Sequence, residues 1–194
     1  MQSPIKFFFD VETTGVNPRR NSIHQISFLV EVAGEVVERR NFHIRPHPKA
    51  EIEEAALQIA GKTKEELLSY PEMGVAFPEI MKFVTRYVSP YEKERVYLVG
   101  FNNRRFDDDF FKTLFELCGN TYFFAYFWPD TLDALVLASQ YLIDRRVNMP
   151  SFKLKHVAIE LGLVIDPERL HDAAYGVEVT RQIYRIVTGL ELEI

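Results

Sequence analysis

A single cysteine, Cys118, among 194 residues rules out an internal disulfide and leaves no second thiolate from which to build a zinc site. A reducing cytoplasm is the expected setting. No run of about 18 apolar residues occurs, so nothing reads as a spanning helix. Met1 leads into a Phe-rich stretch without the basic segment and small-residue cleavage site of an export signal. The expectation is a soluble, unexported protein with no membrane partner. Excess positive charge is missing as well. A net charge of −5 argues against a protein that coats nucleic acid by charge alone, because non-specific affinity comes from Lys and Arg neutralising phosphates. It leaves room for an acidic centre whose divalent cations meet the phosphates instead. Repeats, low-complexity tracts and linkers are absent too, and with 47% apolar residues the whole of 1–194 is expected to form one domain.

What is present is an alternation of strand and helix patterns. Ile5 to Phe9 is a short apolar run ending in acid, as expected of a strand buried on both faces. Ser22 to Val32 and Glu35 to Ile44 are strand-like around Ala33-Gly34, which predicts a hairpin. From Ile52 to Tyr91 the apolar spacing turns helical: Ala55, Ala56, Ile59 and Ala60, then Ile80, Phe83, Val84 and Tyr87, with Gly61 and Pro71 as punctuation. Val96 to Phe101 predicts a strand, Asp107 to Cys118 a helix, Tyr122 to Trp128 a strand and Leu132 to Tyr141 a helix, which together imply βαβ units. Two last helices are expected around Leu154 to Leu161 and Ala173 to Val187.

Three acidic segments carry the chemistry. Asp10 and Glu12 lie two apart on an extended strand, so both side chains leave the same face. Such a pair costs several kcal/mol in repulsion and desolvation unless it is protonated or holds a cation, although alone it reads equally as an exposed loop D-x-E. The second segment, Phe101 to Phe111, follows a strand and places Asp107 near a helix start. Acid in a first helical turn is ordinary capping and dipole chemistry, so Asp108 and Asp109 read as stabilisers, and only Asp107 is a candidate ligand. The third segment, Leu170 to Glu178, enters the last helix with His171 at its mouth. His24, His43, His47 and His156 have no matching partners and carry no assignment. The aromatic run Tyr122 to Trp128 reads as a core strand before a base-stacking platform. The cluster Arg145, Arg146, Lys153 and Lys155 reads equally as a phosphate contact and a solvated surface.

Taken in order, these segments resemble the three motifs of the DnaQ-like 3′→5′ exonucleases, in the His-containing DEDDh branch. Phe9-Asp10-Val11-Glu12-Thr13-Thr14-Gly15 is similar to the first motif, and Gly100 to Asp107 to the second, with Asn103 as the family's Asn. Asp130-Thr131-Leu132 and Lys153-Leu154-Lys155 look like connecting segments, so the resemblance covers nearly the whole chain. It implies a ribonuclease H-like α/β fold: a mixed five-stranded sheet, three antiparallel strands first and parallel strands after, flanked by helices. It also implies phosphodiester hydrolysis at 3′ ends of single-stranded DNA or RNA, with two Mg²⁺ or Mn²⁺ ions about 3.5–4 Å apart at the scissile phosphate. Asp10 is then the ligand shared by both ions, Glu12 and a further Asp hold the ion on the side of the attacking water, Asp107 supports the second ion, and His171 is the general base. Val11, Thr13, Thr14, Asn103, Arg104 and Arg105 are the expected substrate contacts, and a DNA polymerase is a possible partner.

The third motif departs from the family pattern. Five residues after His171 the family has Asp, and this chain has Gly176. Glycine inside a helix costs about 1 kcal/mol relative to alanine, so helix formation does not ask for it. The departure admits three readings: an introduced substitution, a naturally weakened enzyme, or a catalytically inactive nucleic-acid-binding member of the same fold. Asp172, one turn earlier, is not expected to restore full function.

Overall fold

The computed structural model describes residues 3–169 and 171–190; residues 1–2, Leu170, which opens the third segment, and 191–194 lie outside them. Five strands, β1 (Ile5–Thr13), β2 (Ile23–Val32), β3 (Glu35–His43), β4 (Tyr97–Gly100) and β5 (Leu132–Asp133), form one sheet in the order β3-β2-β1-β4-β5. The first three pair antiparallel, whereas β4 joins β1, and β5 joins β4, in parallel. This is the mixed sheet that the sequence implies. The β2–β3 hairpin turns at Ala33 and Gly34, both at positive φ (55° and 90°), the conformation a tight two-residue connection requires.

Eight helices flank the sheet among the described residues: α1 (Glu54–Ala60), α2 (Lys64–Ser69), α3 (Met73–Val84), α4 (Asp107–Leu117), α5 (Phe123–Tyr126), α6 (Ala134–Tyr141), α7 (Leu154–Glu160) and α8 (Ala173–Val187). Side chains alternate along β1. Phe7, Phe9 and Val11 enter a core with Phe28, Phe83, Phe111 and Phe115, on the side of α3 and α4. Phe8 faces the other way, into a core with Ala138, Val157, Ile183 and Tyr184 from α6, α7 and α8. Continuing that alternation, Asp10 and Glu12 emerge on the α8 side.

Two expectations are corrected. Tyr122 to Trp128 is not a strand: Phe123–Tyr126 is a helical turn, Phe127 makes a lone bridge to Val96, and Leu132–Asp133 is the fifth strand. Aromatic β-propensity lost to packing, since Phe123 and Phe127, one helical turn apart, both bury against Phe111 and Phe115. In α1, only Leu57 is buried, and Ile59 faces outward. A seven-residue helix needs a single anchor here, so its apolar periodicity overstated its core face.

α8 is fixed to the sheet by charge as well as packing. Glu31, fully buried in β2, accepts from Lys6 at 2.8 Å and from Arg181 at 2.9 Å, with Arg185 at 3.6 Å. Arg181 and Arg185 also donate to the Gly34 carbonyl. A buried ionic group of this kind sets register more than it adds stability, and the register it sets brings the start of α8 over Asp10 and Glu12.

Candidate active site

The site grows from the end of β1. Asp10 pairs in register with Ser27, and Glu12 with Gln25; on the far side of β2, Ser27 pairs with Asn41 and Gln25 with His43. Two polar rows therefore cross three strands on the face covered by the start of α8. The strand ends in a closed turn in which the Thr14 hydroxyl donates to the Glu51 carbonyl (2.7 Å) and accepts from the Ser22 amide (3.0 Å). Gly15 is needed there, because a Cβ would come within 2.3 Å of Glu53 Oε1 and 2.4 Å of Asn21 Nδ2.

Asp107 reaches the same place from α4. The Val11 amide donates to Asp107 Oδ1 at 3.1 Å, which stitches the helix start to the strand. The turn before α4 holds Asn102 in the left-handed region (φ 62°) and packs Asn103 so tightly under Gly100 that a Cβ on that glycine would lie 2.5 Å from it. Asn103 donates to Asp108 Oδ1 (3.1 Å) and to the Thr131 hydroxyl, which in turn donates to the Leu98 carbonyl (2.9 Å).

Three carboxyls thus meet at one end of the sheet, and their acidities show the cost. Burial raises Asp107 well above the usual carboxylate range, and repulsion from Asp10 adds to it. Asp10 is raised by burial too, with hydrogen bonds from Asp107 and the Val11 amide pulling the other way. Glu12 is pushed up to about 8 by burial and then by repulsion from Asp10 and Asp172. Asp10 and Asp107 are therefore hydrogen-bonded as an acid pair. Asp108, pushed up to about 6 by burial, points at Asn103 instead.

Gly176 lies in the first turn of α8, directly on Asp10: a Cβ there would meet Asp10 Oδ2 at 2.2 Å. With Asp10 in this orientation only glycine fits. Asp172 caps α8, accepting from the Ala174 amide (3.1 Å) and from Gln25 (2.9 Å) through the same oxygen. His171 is exposed, in a turn closed by the Asp172 amide on the Arg169 carbonyl (3.1 Å). It lines a cavity of about 470 Å³ together with Gln25, Asn41, His43, Lys62 and Asp172.

Among the expected substrate contacts, Val11, Thr14 and Asn103 lie in the interior. Val11 and Thr14 are buried with their polar groups committed to Asp107, Glu51 and Ser22, and Asn103 is fully buried between Asp108 and Thr131. Thr13 is half-buried, its hydroxyl on the Gly15 carbonyl, while Arg104 and Arg105 are exposed. Arg145 pairs with Glu160 and Arg146 stacks over Phe152. Sequence reasoning passed over Gln25, Asn41 and His43. The available signal was a set of polar residues, His24, Gln25 and Ser27, inside an otherwise apolar strand.

Hard oxygen donors suit Mg²⁺ or Mn²⁺, and Asp10, Glu12 and Asp107 are such donors, with no Lys or Arg ion-paired to them among the described residues. Yet no three His, Cys, Asp or Glu side chains among the described residues already converge as a ready metal cage. The donor set fits the ions; Asp10 must turn from Asp107 and Gly176 to complete it.

Known proteins share the family and the fold. Residues 7–184 match the RNase T exonuclease family. The PolC-type DNA polymerase III of Mycoplasmopsis pulmonis (strain UAB CTIP) is 30% identical over 177 residues, covering 91% of this chain and 11% of that protein. E. coli exonuclease I bound to a dT13 oligonucleotide superposes with a TM-score of 0.75 at 22% identity, over 95% of this chain and 41% of that one. The zinc-bound form of an E. coli exonuclease I complex with single-stranded DNA gives 0.78 at 23% identity, over 97% and 41%. The chain thus spans about a tenth of the polymerase relative and two fifths of the exonuclease I chains. With the family model matched along most of its length, and the ordered sheet and acidic segments in place, the chain belongs to the DnaQ-like exonucleases and has their ribonuclease H-like fold.

Proposed function

We propose that the chain is a 3′→5′ exonuclease domain acting on single-stranded nucleic acid, DNA in the first place, and that Gly176 weakens it. The carrying observation is the gathering of Asp10, Glu12 and Asp107, one buried and two half-buried carboxyls with raised pKa values and no ion-paired Lys or Arg among the described residues, near a cavity that His171 lines. The oligonucleotides held by exonuclease I and the polymerase in which the relative lies support DNA, and the latter supports a place beside a polymerase.

Asp10, Glu12 and Asp107 would hold Mg²⁺ or Mn²⁺, which when bound supply Lewis-acid activation of the phosphodiester and of the attacking water. The protein's part would be to release the proton shared by Asp10 and Asp107 to solvent and present both groups as carboxylates. His171, on its exposed turn, takes the proton of the attacking water as general base. Arg104 and Arg105, exposed just before α4, would meet backbone phosphates, and Thr13 is half-buried beside Glu12. Gly176 removes the acid that would complete the water-side ligands.

A second reading, a catalytically inactive nucleic-acid-binding domain of the same fold, is favoured by Gly176 itself. One assay separates the two: a 3′-labelled single-stranded oligonucleotide is incubated with Mg²⁺ or Mn²⁺ and either the chain or its Gly176→Asp variant, and released mononucleotides are measured. The exonuclease reading expects slow release by the chain and a gain on the order of 100-fold or more in the variant. Equal rates count against Gly176 as the lesion. Binding without cleavage by both proteins establishes the second reading.

A further inference from the structure

We infer that Gln25 is a positioning residue for His171, tying the turn that carries the histidine to the strand pair that carries Glu12. The kinetic consequence rests on the exonuclease reading above; the geometry does not.

Gln25 is 6% exposed, directly across the β1–β2 register from Glu12 and across the β2–β3 register from His43. Both hydrogens of its amide nitrogen are used. One goes to Asn41 Oδ1 at 3.0 Å, where the Ser27 hydroxyl also donates (2.7 Å), and the other goes to Asp172 Oδ1 at 2.9 Å. That same Asp172 oxygen accepts the Ala174 amide at 3.1 Å and so caps α8. One atom therefore joins the catalytic strand pair to the helix start, and the residue before it is His171. The histidine itself is exposed, in a turn closed by the Asp172 amide on the Arg169 carbonyl. Its distance from the acids is thus set mainly by where Asp172 is held.

The chemistry of position 25 follows. Asn41 Oδ1 and Asp172 Oδ1 are both acceptors, so the side chain between them must donate twice, which a glutamine amide does. A carboxylate of equal size sets oxygen against oxygen at Asp172, which as a carboxylate has no donor to offer, whereas the Asn41 amide can turn over and donate. Gln25→Glu therefore keeps the packing and removes the tether, which separates positioning from space filling. Gln25→Met likewise has no donor at about this length but brings no charge beside Glu12, so a change shared by the two variants reports the lost tether and not added repulsion.

The test uses Gln25→Glu and Gln25→Met, each in the chain itself and in its Gly176→Asp form. On a 3′-labelled oligonucleotide with saturating Mn²⁺, both are expected to lower kcat by about ten- to a hundredfold and leave KM within about twofold. Independently of turnover, NMR on the metal-free protein follows the His171 ring resonances and hydrogen exchange at the Ala174 amide, both moved in either variant. Unchanged kcat and unmoved His171 resonances in Gln25→Met, or a loss confined to Gln25→Glu, overturn the positioning role. Absence of turnover in every form refutes the exonuclease reading instead, and the His171 resonances then decide the role of Gln25 alone.

Discussion

Replacing Gly176 with alanine adds one methyl to the first turn of α8, and the structure makes its effect depend on Asp10. The backbone at 176 is ordinary helix, its amide donating to the Asp172 carbonyl at 2.9 Å, so the helix itself should gain about 1 kcal/mol from the exchange. The new carbon, however, would stand 2.2 Å from Asp10 Oδ2, well inside the 3.4 Å at which ordinary contact begins. Asp10 has to turn away. Leaving its rotamer costs about 0.5–1.5 kcal/mol, and the buried hydrogen bond with Asp107 that goes with it about 1–3 kcal/mol. Gly176→Ala is therefore expected to destabilise the metal-free protein by about 1–3 kcal/mol net. In an Asp10→Ala background the obstructing oxygen is gone, and the same change should stabilise by about 1 kcal/mol. Urea unfolding of the four proteins gives the coupling directly, about 2–4 kcal/mol. If Gly176→Ala stabilises equally in both backgrounds, Asp10 does not rest on Gly176, and the account of why the chain tolerates glycine there fails.

Three further outcomes follow from other parts of the site. Divalent ions that bind only the folded acids raise Tm, by the equivalent of about 2.7 kcal/mol at a hundredfold excess over Kd, so Mn²⁺ should shift Gly176→Asp more than the parent; thermal scans showing no shift in either contradict the metal assignment. Asn103→Ala leaves the buried Asp108 without its amide and opens the turn before α4, and should cost about 2–3 kcal/mol in urea unfolding; a loss below about 0.5 kcal/mol would show that this turn is held by something else. The His24 ring, buried with Nδ1 unpartnered, is pushed down from 6.5 to about 4 by burial and by repulsion from His43. Its neutral form stabilises the fold fully above about pH 6.5, and that contribution is lost as pH falls toward 4, about 3 kcal/mol in all. His24→Gln cannot titrate, so the stability difference between parent and variant should shrink across this window; a constant difference rules out the burial argument.

Much of this molecule is legible in its residues because the signals are local. Apolar runs and the Ala33-Gly34 turn gave β1 to β3 close to their observed ends, and helical spacing gave α3, α4 and α8. The two-residue period of a strand put Asp10 and Glu12 on one face, and the ordered segments named the family. Where the reading erred, a long-range contact outweighed a local preference. Phe123 and Phe127 bury as a helical pair against α4 although their composition favours a strand. That the side chains of Asn103 and Thr14 hydrogen-bond to Asp108 and Glu51 is also invisible to a local pattern.

Gly176 shows the division most plainly. Its departure from the family pattern is visible by counting from His171, and so is the missing carboxylate. That Asp10 fills the space where a side chain would begin is decided only when α8, held by Arg181 and Arg185 on the buried Glu31, is laid across β1. The tether from Gln25 to Asp172 is likewise absent from any local pattern, since 147 residues separate its ends. Residue chemistry depends on side-chain type and survives in the sequence; which side chains share a boundary depends on how distant segments pack, and only the tertiary structure settles that.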